Sequence, residues 1–178
     1  MTATPKADVE LRRERLRGLV ALGAQRAAGA LTEFAGATVQ AGGLRGGEAL
    51  KSPPFETGVI FAVAGRLGGH LAFCLDTLSR RALVRLLLDE DEPEAPPDMV
   101  ASALGELGNI VASQAVSAIA DAVGGSIALS VPDLALEGVV ARLQSLRGGR
   151  GEGDLTVSCE LSAPESELRV LLVVAIDA

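Results

Sequence analysis

Aromatic side chains are nearly absent: 178 residues include four Phe and neither Trp nor Tyr. The core must therefore be aliphatic, and helices lined with Ala and Gly can approach one another closely. Cysteine is scarce as well. Cys74 and Cys159 fall inside apolar, strand-like runs with no second sulfur nearby in sequence and no set of sulfurs and imidazoles that makes a metal spacing, which argues against a metal site or a disulfide and for two buried thiols in a reducing compartment. His70 is the one histidine. In the turn-like Leu67-Gly68-Gly69-His70-Leu71 it reads as a surface residue, and it leaves no Ser-His-acid set. There is no run of about twenty apolar residues to span a membrane. Met1-Thr2-Ala3-Thr4-Pro5-Lys6 lacks the apolar centre of a signal peptide, so the expectation is a soluble, cytoplasmic protein without membrane insertion. A net charge of −7 with no basic stripe argues against nucleic acid. Arg12, Arg13, Arg15 and Arg17 alternate with Leu11, Glu14 and Leu16 and read as a solvated helical face. Gly42-Gly43 and Gly148-Gly149 lack the Lys-Ser/Thr that follows a phosphate-binding glycine loop.

The length suits one domain with a sizeable core, spanning 1–178. Asp8 to Ala37 reads as a long helix capped by Asp8, with Leu16, Leu19, Ala24, Ala27, Leu31 and Phe34 at helical spacing. A short extended piece, Thr38 to Gly42, leads into a Gly/Pro-rich loop from Gly43 to Pro54. Gly58–Gly65 and Gly69–Asp76 read as a hairpin reversing at Gly68-Gly69. Thr77 is the expected cap of a second helix to Leu88, with Leu78, Ala82, Leu83, Leu86 and Leu87 as its apolar stripe. Residues 89–97 are acidic and proline-rich and read as an exposed linker. From Asp98 a helix runs to about Val123 and stops at Gly124-Gly125. Its expected buried face is Leu104, Leu107, Val111, Ala115, Ala118 and Ala122, and its polar face Ser102, Glu106, Asn109, Ser113, Ser117 and Asp121. A strand from Ser126 to Val131 is ended by Pro132. The segment up to Leu146 is left without an assignment, and Arg147 to Gly153 reads as a loop. Leu155–Leu161 and Glu167–Ile176 are the last strands. The run Val170 to Ile176 is apolar enough to demand an interior or paired position.

Ser102, Glu106 and Asn109 are the residues with chemical content. Steps of four and three place them on one helical face, a carboxylate beside a carboxamide. Taken alone, that spacing also describes two solvated residues. The longer pattern is more specific: Ser, three residues, Glu, two residues, Asn, twenty-two residues, Pro, filled by Ser102, Glu106, Asn109 and Pro132. It resembles the signature of the CheC/CheX/FliY family of bacterial chemotaxis phosphatases, and Glu106 to Gly124 is similar to that family's central helix.

The resemblance implies an α+β fold, a pseudo-twofold CheC/CheX-like domain with two long helices packed on an antiparallel sheet. An offset of 88 aligns Ala24 with Ala112, Ala27 with Ala115, Ala30 with Ala118 and Gly36 with Gly124, consistent with a duplicated half. The first half (8–88) would then carry Gly18, Ala21 and Leu44 where the second (98–178) has Glu106, Asn109 and Pro132, leaving one equipped site. By resemblance, the substrate is the phosphoaspartate of a CheY-like response-regulator receiver and the activity that of an aspartyl-phosphate phosphatase. Asn109 would orient the attacking water, and Glu106 would pair with a receiver lysine. Ser102 and Ser113 are assigned to contact with that substrate, and Pro132 to ending a strand and shaping its loop. No cofactor of its own is implied; Mg²⁺ would come with the receiver. A CheD-like partner and a homodimer are further expectations. The competing readings are a non-catalytic module binding a receiver or CheD, or serving a flagellar switch, and a structural subunit whose polar stripe is merely wet.

Overall fold

A computed structural model describes residues 5–46, 55–89, 91–92, 94–147 and 155–177. Helix α1, Pro5–Ala35, is longer than any other element. It begins ahead of Asp8, which lies within its first turn and pairs with Arg12 at 3.4 Å rather than capping the helix. Arg13 pairs with Glu10 and Arg17 with Glu14, so the arginine cluster is the solvated face expected. Leu16, Val20, Ala24, Ala27 and Leu31 are buried, with Leu19 and Phe34 half-buried. As the chain leaves the helix, the Thr32 hydroxyl donates to Ala28 O and accepts from Val39 N, both at 2.9 Å.

Strand β1 (Gln40–Gly46) runs four residues past the extended piece expected, while 47–54 lie outside the described residues. Then come the hairpin β2 (Thr57–Gly65) and β3 (Gly69–Leu75), the helices α2 (Thr77–Leu88) and α3 (Pro97–Val123), the short strands β4 (Ile127–Leu129) and β5 (Asp133–Ala135), the helix α4 (Val139–Arg147), and the hairpin β6 (Leu155–Ala163) and β7 (Leu168–Ile176). The segment from Val139 to Leu146, unassigned from sequence, is therefore α4, and the expected loop falls largely outside the described residues. His70 lies within β3, half-buried, rather than in a turn.

The sheet is antiparallel in the order β1-β6-β7-β3-β2-β4, with β5 also paired to β2. β7 lies between β6 and β3, the interior position its apolar run demanded. One face carries Val59, Phe61, Leu71, Phe73, Val157, Leu161, Val170 and Leu172 into a core shared with α1, α2 and α3. The other is covered over Ile60, Ala72, Cys74, Leu171 and Val173 by Val139 and Leu143 of α4.

The two halves interlock. Hairpin β2–β3 belongs to the first half and β6–β7 to the second, yet β1 pairs with β6, and β4 with β2. Each half thus gives its outer strand to the other's hairpin, and β3 meets β7 at the centre. The long helices end at Ala35 and Val123, 88 positions apart, and each is followed by a glycine with positive φ, Gly36 (62°) and Gly124 (66°). That is the left-handed stop which favours glycine.

Three local expectations are corrected. The cap of α2 is Asp76, whose buried carboxylate accepts from Ser79 N at 2.7 Å; Thr77 is already the first helical residue. The buried face of α2 is Ser79, Leu83 and Val84, leaving Leu78 and Leu86 exposed. The acidic linker is also anchored. Asp89 closes α2 in a left-handed conformation, Arg85 pairs with Asp91, Arg80 with Glu92 at 3.1 Å, and Ala95 is buried.

Candidate functional site

Helix α3 presents the site because its underside is small and apolar. Leu104, Gly105, Leu107, Gly108, Val111, Ala112, Ala115, Val116 and Ile119 are buried. This arc is wider than the stripe expected, since α3 packs on α1, α2 and the sheet; Ala118 is only half-buried and Ala122 is exposed. A Cβ on Gly108 would come within 2.9 Å of the Val59 methyl carbons, so glycine lets the helix lie close on β2. Pro97 at the first turn has no N–H to leave unsatisfied. The opposite end closes with Gly125 N donating to Ala120 O at 3.2 Å.

Above that underside, Ser102, Glu106, Asn109, Ser113, Ser117 and Asp121 are all exposed. At 100° per residue, Glu106 and Asn109 stand about 60° apart around the axis, with their Cβ atoms about 5–6 Å apart. Among the described residues neither side chain makes a hydrogen bond or ion pair. A carboxylate and an amide of complete hydrogen-bonding capacity therefore face solvent together. All four assigned site residues, Ser102, Glu106, Asn109 and Ser113, share this crest.

The crest has two different flanks. On one side Glu106 and Ser102 border a groove of about 400 Å³, walled by Phe34 of α1, Leu87 and Leu88 of α2, and Met99, Ala103, Leu107 and Ile110 of α3. Asn109 leans to the other side. Val116, two turns further along that side, lines a small cavity with Ile127 of β4. This is also the flank along which β4 and β5 run. Val63 pairs with Leu129 while Ile60 pairs with Asp133, so β4–β5 carries one residue more than β2 opposite, a bulge. Ser130 fixes it, donating its N–H to Ala62 O and accepting from Ala62 N, both at 2.9 Å. Pro132 has no N–H to give to the ladder, and Val131 is left 84% exposed. Pro132 thus separates two short strands on one partner, where sequence showed only a strand's end.

The groove was missed in sequence. Phe34 and Leu87 read as core, although Met99, Ala103, Glu106 and Ile110 recur at steps of four, three and four and could have marked a second stripe. Elsewhere the chemistry is muted. Burial pushes the Cys74 thiol up to about 12 and raises that of Cys159 as well, and both are free and buried. Among the described residues, no group of three or more His, Cys, Asp or Glu gathers as a metal-ligand set, and no helix is long and apolar enough to cross a membrane.

Comparison with known proteins follows the same geography. Residues 99–135, from the start of α3 through β5, match the CheC-like family. No curated protein sequence matches the chain. Among solved structures, FliY from Thermotoga maritima is 16% identical with a TM-score of 0.68, covering 98% of this chain and 92% of its own. The chemotaxis protein CheX from Desulfovibrio desulfuricans is 12% identical with a TM-score of 0.67, covering 90% and 99%. CheX in the CheX–CheY–BeF3–Mg²⁺ complex from Borrelia burgdorferi is 18% identical with a TM-score of 0.67, covering 89% and 97%. The segment that matches the CheC-like family thus holds Ser102, Glu106, Asn109 and Pro132, and it lies within a fold that the chain shares with CheX and FliY.

Proposed function

We propose that this protein binds a CheY-like receiver domain and hydrolyses its phosphoaspartate. One observation carries the reading: Glu106 and Asn109 stand unpartnered among the described residues, side by side on a rigid helix, inside the segment that matches the CheC-like family. The similar CheX solved together with CheY, BeF3 and Mg²⁺ supports a receiver as the partner.

An acyl phosphate is reactive enough that no nucleophile from this chain is required. What remains is to position a water in line with phosphorus and to stabilise charge around it. The Asn109 amide has both a donor and an acceptor, so it can hold a water's lone pair and hydrogen in fixed directions. Glu106 supplies a carboxylate for an ion pair with a receiver lysine, drawing that cation from the phosphoryl group and fixing the docked orientation. Ser102 and Ser113, at either end of the crest, are within reach of the same surface. The metal in this scheme is the receiver's own Mg²⁺.

The test is the decay of a phosphorylated receiver with wild-type and variant protein. Asn109→Ala is expected to slow turnover by about 10²–10³, the usual loss for one preorganised polar group. Glu106→Lys is expected to weaken docking and rate together. Unchanged decay with both variants would remove the assignment.

A further inference from the structure

We propose that the groove beside Glu106 is a specificity pocket, in which the receiver seats an apolar side chain next to the lysine that Glu106 binds. This rests on the receiver reading above and adds what else the partner must carry.

Three helix segments distant in sequence build the groove. Phe34 comes from the last turn of α1, Leu87 and Leu88 from the end of α2, and Met99, Leu107 and Ile110 from α3. Its polar lining is Ser102 and Glu106. Met99 remains 47% exposed and Ile110 37%, with Leu86 52% exposed at the same end of α2. Large apolar side chains left wet around one charged group mark a surface that is covered in a complex.

The charge pattern selects the occupant. Glu106 is the charged group of the lining, and Asp89, Glu94 and Asp98 lie in the connector between α2 and α3 and at the start of α3, where Asp91 and Glu92 are already paired with Arg85 and Arg80. A complementary surface therefore offers a cation beside an apolar anchor. A second copy of this chain is disfavoured, because a twofold contact over the groove would set Glu106 and its acidic neighbours against their own copies. A volume of about 400 Å³ accommodates a Met-, Leu- or Phe-sized anchor together with the aliphatic stem of a lysine.

The experiment titrates full-length protein with a receiver loaded with beryllofluoride, so that affinity is read without turnover. Met99→Asp and Ile110→Asp are expected to raise Kd at least tenfold each. Met99→Leu should stay within about twofold of wild type, and the thermal midpoint of Met99→Asp should be unchanged because about half of that side chain is already exposed at the start of α3. An unchanged Kd in both Asp variants would overturn the pocket. So would self-association of the free protein that Met99→Asp abolishes, since the occupant would then be a second copy. The two readings fail separately: slow turnover in Asn109→Ala with an unchanged Kd in the Asp variants sinks only the pocket. A Kd that responds to Met99 while no variant alters phosphate loss sinks only the phosphatase.

Discussion

A hydrogen bond at Asp76 starts α2, the helix whose far end walls the groove with Leu87 and Leu88. The Asp76 carboxylate takes the N–H of Ser79, and the Ser79 hydroxyl in turn accepts from Arg169 N at 2.8 Å, fastening the start of α2 to β7. Removing the cap oxygen leaves a buried N–H without a partner, so Asp76→Ala is expected to cost about 1 kcal/mol, while Asp76→Asn keeps most of the bond. Urea denaturation of the two variants measures the difference. Sequence misplaced this cap by one residue because Asp76 and Thr77 are adjacent and both good cap formers, and only backbone geometry separates them. The crest was legible at the same scale for the opposite reason. Ser102, Glu106, Asn109 and Ser113 lie within four turns of one helix, so local spacing alone fixes their shared face.

Within α3, two buried glycines have opposite roles. A Cβ at Gly108 would press on Val59, whereas one at Gly105 would meet nothing within 4 Å. Gly108→Ala should therefore lose about 1–2 kcal/mol through overpacking, and Gly105→Ala should gain up to about 1 kcal/mol in helix propensity. Thermal unfolding of the pair reads both signs, and adding Val59→Ala to Gly108→Ala tests whether the clash is the cause. Elements followed the same logic of visibility. The long helices and the two hairpins were readable because their apolar periods run for many residues. Helix α4 buries little beyond Val139 and Leu143, too few positions to display a period. Strand β5 has three residues and exists through its pairing with β2, information that resides in β2. The groove was illegible because its walls meet only after α1, α2 and α3 have packed.

At the scale of the molecule, the halves share a plan but not a surface. Gly18 stands where Glu106 does and Ala21 where Asn109 does, yet the α1 flank is lined by Arg12, Arg15 and Arg66 around about 220 Å³, with Arg15 in the place of Ala103. Writing the pair onto α1 as Gly18→Glu with Ala21→Asn should be tolerated by the fold, since a Cβ at Gly18 meets nothing within 4 Å. In an Asn109→Ala background it is expected to restore no receiver dephosphorylation, as measured by phosphoreceiver decay, because the arginines set among the apolar walls of the neighbouring groove would repel the receiver's lysine. The crossed outer strands carry a further implication. A half produced alone, built as either half is here, would have no partner of its own for its edge strand and a raw seam along its hairpin. Such a polypeptide completes its sheet by trading arms with a twin.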